Sequence, residues 1–467
     1  MELAAARLSE SARKRVIVLA AILGTSVVFI DTTVVNVALP AIQRDLGGGL
    51  TLQQWVVDAY LLTLGSLILL GGSLGDLFGE RLVFSVGVAG FGLTSVFCGL
   101  APTGNALIAA RGLQGIAGAL LTPAALATIT ASFEGEERGA AIGTWTAWTG
   151  IGTVIGPLVG GWLVGHASWR SIFFLNVPVC VATLAAIAVA LPHSHRDRRP
   201  AIDVVGAALC VAGFGGSVFA LIEQPRRGWG DPLILATLLA GVALLGAFLV
   251  WERRHRDPML PLRLFRRRNF AVANVETLFV WGALATVTFF LALYLQQLAG
   301  YSPLQAGLAL VPITIVMFLF SRYVGRMSAR SGPRLFMGLG PCVCAAGLLL
   351  MLPLGRRLDY LPQLLPAVLV FALGLTLTVA PVTTTVLAEA AAGDAGIASA
   401  VNNAVARVAG LLGIAVVGVA VAGPHARLTV HGFHLAVAIN AGLLLAGGAI
   451  GLLGIAGRSG ERGTFEA

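Results

Sequence analysis

Asp31, Asp58, Arg111 and Glu276 stand inside long apolar runs. A charge at the centre of a hydrocarbon layer costs about 3 kcal/mol or more unless it is paired, hydrated or protonated, so each position calls for a reason. Asp31 falls in FIDTTVVNVALP, residues 29–40. Along a helix it lies roughly 20 Å beyond the basic cluster Arg13, Lys14 and Arg15, past the middle of a hydrocarbon layer about 30 Å thick. A carboxylate there can take a proton when desolvated and release it when hydrated or when a cation approaches. Arg111, about two turns into its own run from the opposite face, is the cation at comparable depth, and Gln114 shares its helical face. Structural readings stay open beside this one. Asp31 could brace helices through Thr32, Thr33 or Asn36, and Arg111 could reach out to the interface or satisfy loop carbonyls. Asp58, closer to the outer end of its run, is a second proton site or an acid that reaches headgroup water. Glu276, about two turns in from the other side, suits a cationic substrate or a further proton.

The elements that must hold these residues are membrane helices. The chain is 57% hydrophobic and only 11% charged, with mean hydropathy +0.88, whereas soluble domains carry about a quarter charged residues. This composition specifies an all-α polytopic membrane protein embedded in lipid bilayer. A net charge of +9 would suggest nucleic acid in a soluble protein. Here the basic residues occupy short loops between apolar runs, which encodes topology, and no nucleic-acid partner is expected. Fourteen runs of spanning length lie between residues 16 and 456. Most of the 31 Lys and Arg residues fall on one side, placing both termini in the cytoplasm of an inner (plasma) membrane protein. The run after Arg15 is longer than a signal-peptide core and has no small-residue cleavage site, so it stays as the first span.

Several chemistries find no residues to carry them. Cys98, Cys180, Cys210, Cys342 and Cys344 lie in apolar runs as small hydrophobes, and Cys342 and Cys344 diverge by about 200° on a helix, so no metal site is expected. No nucleotide-binding loop, HExxH pair or nucleophile–base arrangement occurs, which argues against an enzyme. His193, His195 and His255 sit in arginine-rich loops as solvated side chains. No cofactor is expected, and a proton gradient is the available driving force.

An internal repeat organises the spans. GSLGDLFGER at 72–81 and GRMSARSGPR at 325–334 share Gly72 with Gly325, Gly79 with Gly332 and Arg81 with Arg334. Two six-span bundles follow, 16–191 and 270–456. Residues 192–269 hold an inserted pair of helices with basic linkers, 1–15 form a cytoplasmic N-terminus and 457–467 a cytoplasmic tail. Duplicated bundles around a midplane site are the architecture of secondary transporters. In the repeated loop, Asp76 is placed just before span three, where an acid suits a helix N-terminus, and Arg138 is its expected ion-pair partner. A plain glycine turn with a solvated acid is the other reading. In span five, Gly152, Gly156, Gly160 and Gly161 surround Pro157, clearing one helix face and removing a backbone donor; ordinary close packing would use the same residues. Asn36, Gln114, Trp145, Trp148 and Trp281 are the candidate lining of a pocket for a small amphipathic molecule.

These stretches, with RGLQGIAGA at 111–119, GTVIGPLVGG at 152–161, WRSIFFLNVP at 169–178 and AGIASAVNNAVARVAGLLGIAVVG at 395–418, resemble the major facilitator superfamily over nearly the whole chain, specifically its fourteen-span drug:proton antiporter family. The resemblance implies a major facilitator fold of two six-helix bundles plus two inserted central helices. It also implies a monomer that exports amphipathic drugs or antibiotics in exchange for protons. By the same resemblance Arg111 is tied to proton transfer, and the loop of Gly72, Asp76, Gly79 and Arg81 helps hold the cytoplasmic side shut. Leu77 stands where that family commonly has arginine, so one charge of the latch is missing. A dedicated exporter of an endogenous metabolite, or a lipid translocator without proton coupling, fits the same architecture.

Overall fold

Backbone groups in hydrocarbon must be satisfied within their own segment, which makes a spanning chain of this composition helical. A computed structural model describes residues 9–191, 202–389, 395–421 and 428–456. The segment before residue 9, the HSHRDRRP loop with His193 and His195, Arg427 and the tail after 456 lie outside the described residues. The helices, in chain order, are α1 (Glu10–Leu46), α2 (Gly49–Phe78), α3 (Glu80–Leu100), α4 (Gly104–Ser132), α5 (Gly135–His166) and α6 (Ser171–Ala190). The inserted pair is α7 (Val204–Arg227) and α8 (Pro232–Arg254). Then come α9 (Arg268–Leu298), α10 (Pro303–Ser331), α11 (Arg334–Leu349), α12 (Leu365–Ala388), α13 (Ala395–Val421) and α14 (Val430–Gly454). Among the described residues twelve helices are long and apolar enough to cross a membrane. The 32-residue α5 and the 16-residue apolar α11 occupy the two remaining positions expected to span. The chain is a multi-pass, all-helical membrane protein.

Helix α1 is longer than its apolar run. At 37 residues it extends about 55 Å, so both ends project beyond a hydrocarbon layer of about 30 Å. It continues through Pro40, and Ser9 caps its start by accepting from the Ala12 amide at 3.3 Å.

The chain forms two compact units, Met1–Leu260 with Ser302–Gly307, and Pro261–Tyr301 with Leu308–Ala467. Each repeats the same pairings. In the first, α1 packs on α5 and α6, and α3 on α4 and α6; in the second, α9 packs on α13 and α14, and α11 on α12 and α14. The sequence repeat has a conformational counterpart. Gly79 (φ 88°) and Gly332 (φ 87°) both hold the left-handed backbone that turns the chain into the next helix, a conformation that glycine adopts without steric cost. Arg81 Nη1 then donates to the Leu191 carbonyl at 2.7 Å, and Arg334 Nε to the Leu452 carbonyl at 2.6 Å. Beside them, Arg13 Nε donates to Ala190 O at 2.9 Å and Arg268 Nε to Gly454 O at 2.8 Å. A helix C-terminus leaves four carbonyls without helical partners and carries partial negative charge. In each unit two arginines, from the starts of its first and third helices, meet that need at the end of its sixth.

The inserted pair belongs to the first unit. Helices α7 and α8 pack on each other, and α7 lies on α2, where Trp55 Nε1 donates to Glu223 Oε1 at 3.1 Å.

Candidate functional site

Four helices of the first unit converge on Asp31. Helix α4 approaches α2 closely because Gly115 has no side chain: a Cβ there would meet the Tyr60 carbonyl, Thr63 and the Leu64 amide. Thr63 Oγ1 ties the same contact by donating to Gly112 O at 2.8 Å. This brings Arg111 inward from α4. Helix α6 is set by the WRSIFF stretch at its start, where Trp169 Nε1 and Arg170 Nη1 donate to Asp45 Oδ2 at 2.9 and 2.5 Å. Arg170 Nη2 also reaches Ala101 O, just past α3, at 3.2 Å. Anchored at the ends of α1 and α3, α6 carries Asn176 into the interior, where it is 2% exposed.

The charges meet there. Arg111 Nη1 donates to Asp31 Oδ2 at 2.5 Å, with the side chains 1% and 0% exposed. The guanidinium also donates from Nη1 to Gln114 Oε1 at 2.6 Å and from Nε to the Val56 carbonyl at 3.0 Å, and it lies 4.2 Å from the Tyr60 ring centre. Asp31 Oδ1 accepts from Gln114 Nε2 at 3.2 Å and from Asn176 Nδ2 at 3.1 Å. Ser95 Oγ of α3 accepts from the same two amides at 2.8 and 3.2 Å. Both Asp31 oxygens are satisfied, as a buried charge requires. Asp31, Arg111 and Gln114 are thus brought together, and the interface-seeking reading of Arg111 is set aside. Asn176, Ser95 and Tyr60 complete the cluster and were not among the residues singled out by sequence.

Two further acids are buried without a hydrogen-bond partner among the described residues. Asp58 on α2 and Glu276 on α9 are both 0% exposed, and neither carboxylate oxygen of either residue is engaged. The headgroup reading of Asp58 is corrected by its burial, at 0% exposure. The helix begins at Gly49, which sets Asp58 roughly 14 Å along it rather than near its end. Around Glu276, Gly451 leaves room: a Cβ there would lie 2.6 Å from Glu276 Oε2.

Sequence comparison places this geometry in a family. The model for the Major Facilitator Superfamily matches residues 21–414. Puromycin resistance protein pur8 of Streptomyces alboniger is 38% identical over 453 residues, covering 92% of this chain and 88% of the relative. The chain belongs to the major facilitator superfamily. Tetracenomycin C resistance and export protein of Streptomyces glaucescens is 36% identical, over 86% of this chain and 75% of that one. Among solved structures, the peptide transporter POT in complex with sulfate superimposes with TM-score 0.70 at 16% identity, over 94% of both chains, a likeness of fold. As a member of this superfamily the chain is a membrane transporter and not an enzyme.

The superfamily loop is arranged differently from the sequence expectation. Helix α2 runs through Asp76 to Phe78, so the exposed Asp76 lies in the last turn of α2 rather than at the N-terminus of α3. Arg138 donates Nε to the Phe133 carbonyl at 2.8 Å, beside its own helix start. The expected Asp76–Arg138 ion pair is therefore not the contact Arg138 makes. Gly72 is open, with Pro123 Cβ as its nearest neighbour at 3.9 Å, whereas Gly79 and Arg81 have the turn and capping roles given above.

Helix α5 is continuous through Pro157 and packs on α1. A Cβ at Gly156 would meet Thr33 and the Ile30 carbonyl, and one at Gly160 would meet Val34. Gly161 is equally crowded, with Leu304 Cα 2.7 Å from its Cβ position. Gly152 lies in α5 outside the residues whose surroundings are described. Of the aromatic candidates, Trp145 donates Nε1 to Thr25 Oγ1 of α1 at 3.1 Å, Trp148 is 54% exposed, and Trp281 is half-buried on α9. Asn36 is half-buried, and its Oδ1 has no hydrogen-bond partner among the described residues.

Proposed function

We propose that this transporter is a proton-coupled antiporter that exports amphipathic drugs or antibiotics by alternating access. In this reading it spans the inner membrane fourteen times as a monomer with both termini in the cytoplasm. Relatives named for puromycin resistance and for tetracenomycin C resistance and export support the substrate class. The observation that carries the coupling is the buried Asp31–Arg111 pair. When Asp31 takes a proton its attraction to the guanidinium falls, and Arg111 keeps only neutral partners. When the proton leaves, the pair re-forms. A change of protonation thereby changes which contacts hold α1 to α4, and differential contacts of this kind move an equilibrium between conformations. Asp58, two residues beyond the carbonyl that receives Arg111 Nε, is the second acid on this route. Glu276 serves a cationic substrate or a further proton in the second unit, and the candidate substrate contacts are Asn36, Trp145 and Trp148 in the first unit and Trp281 in the second.

The test is substrate-induced proton release from proteoliposomes, screened across cationic, neutral and acidic compounds. The wild type is expected to release protons with its substrate, and Asp31→Asn to stay folded while losing uphill export. Normal gradient-driven export by Asp31→Asn removes the coupling role. The two relatives are each named for a single antibiotic, which also favours a narrow exporter of one compound. A screen with a single active compound selects that version.

A further inference from the structure

The inserted helices carry a pair of acids that the transport reading does not use. Asp203 stands immediately before α7 and Glu252 in the last turn of α8, and they are 4% and 2% exposed. Each uses one oxygen to hold local structure. Asp203 Oδ1 caps α7 by accepting from the Gly206 amide at 2.7 Å, and it also accepts from Trp251 Nε1 at 2.8 Å. Glu252 Oε2 accepts from the Leu260 amide at 2.8 Å, fastening the linker that runs on toward α9. The other two oxygens, Asp203 Oδ2 and Glu252 Oε1, are buried and have no hydrogen-bond partner among the described residues. They converge on one spot, since a side chain at Gly206 would run into both.

Two carboxylates buried face to face repel unless something positive lies between them, and a single proton shared by the pair both removes the repulsion and supplies the missing donor. We propose that Asp203 and Glu252 form a proton-binding site distinct from the Asp31–Arg111 pair, with one proton held between Asp203 Oδ2 and Glu252 Oε1. The proton comes from water at this end of the inserted pair and returns there, so no other reactant is needed. While bound, it locks the end of α8 to the start of α7 and keeps the Leu260 tether in place. On release, the two charges push apart and the linker loosens.

Among the described residues the surrounding groups are few. From α7, the buried Cys210 lies about one turn beyond Gly206. From α8 and the linker, His255 lies edge-on to Trp251 with ring centres 5.3 Å apart, and Arg253, Arg254, Arg256 and Asp257 are exposed. The packed face of α2 brings Leu67 and Leu70, and the charged residue toward that end of α2, Asp76, is exposed.

Trp251 makes the site observable. Full-length protein labelled with 5-fluorotryptophan is followed by fluorine NMR from about pH 5 to about pH 10, with the Trp251 line assigned by Trp251→Phe and the His255 contribution removed in a His255→Gln background. The Trp251 line is expected to move through one titration step in that background. The step should vanish in Glu252→Gln, which keeps an acceptor for the Leu260 amide but cannot exchange the proton. Asp203→Asn leaves Glu252 to titrate alone without a neighbouring carboxylate, and the step, read by the infrared carboxylic C=O band lost on alkalinisation, should shift to a different pH. The proposal is overturned if no step occurs in that pH range, if the step survives unchanged in Glu252→Gln, or if it is already gone in His255→Gln. A line that shifts at fixed pH when sodium replaces choline would show a metal cation in place of the proton and would equally overturn it.

Discussion

Removing one member of the Asp31–Arg111 pair should cost more than removing both. Arg111→Ala leaves a carboxylate buried without its counter-charge, a change worth about 3–5 kcal/mol, whereas the double variant Asp31→Asn, Arg111→Ala leaves only neutral groups. The double variant should therefore recover part of the folded yield and thermal midpoint lost in Arg111→Ala. Losses that simply add would show that the two side chains act independently. Asn176→Ala removes a donor shared by Asp31 and Ser95, at about 1–3 kcal/mol for the acceptors left unsatisfied. Export per folded molecule should slow, and unchanged export would remove Asn176 from the site. Asp31 and Arg111 were legible in the sequence because a charge inside an apolar run is costly enough to need explaining, and Gln114 because it follows on the same helical face. Asn176 and Ser95 were not legible. Neutral polar residues are tolerated in spans for many reasons, and only the packing of α6 on both α1 and α3 sets Asn176 between Asp31 and Ser95.

At the scale of the helix, the small residues of α5 make a directional prediction. Gly156 faces α1 so closely that an added methyl would press on Thr33 and the Ile30 carbonyl, whereas at Gly143 of the same helix nothing lies within 4 Å of the added carbon. Gly156→Ala should lower stability by about 1–3 kcal/mol through overpacking. Gly143→Ala should leave it unchanged or raise it by about 0.5–1 kcal/mol, since alanine loses less backbone freedom on forming helix. Thermal unfolding of the two purified variants decides it, and equal effects would refute the close α1–α5 contact. The glycine pattern and the proline were readable as a packing face, but the partner was not, because spacing along one helix does not name the helix it meets. Helix ends were misread for a related reason. Hydropathy marks the apolar stretch, while the helix continues into the polar zone as long as its carbonyls find partners. This placed Asp58 near the start of its helix when nine residues of helix precede it, and it placed Asp76 outside α2 when it lies in the last turn.

Duplication sets what can move in the whole molecule. Arg13 and Arg81 hold the end of α6 within the first unit, and Arg268 and Arg334 hold the end of α14 within the second. The repeated loop was visible in sequence as matching Gly, Gly and Arg positions. Its physical content, a left-handed turn followed by an arginine on a distant helix C-terminus, was not, because the acceptor carbonyls lie more than a hundred residues away. Contacts inside a unit that travels as one body are the same in both transport states, and an interaction equal in both states shifts no equilibrium. Arg81→Gln and Arg334→Gln should therefore each lower the thermal midpoint, by the equivalent of about 0.5–2 kcal/mol, while leaving the balance of inward- and outward-facing forms unchanged. Asp76 is exposed in the last turn of α2, and Asp76→Asn is expected to do the reverse, leaving the midpoint in place and shifting the resting population toward inward-facing. The deciding measurement is the labelling rate of single cysteines placed on each side of the membrane, taken for all three variants beside their unfolding curves. If Arg81→Gln changes the labelling balance as much as Asp76→Asn does, the arginine contact is made in only one state, and the first unit does not move as a rigid body.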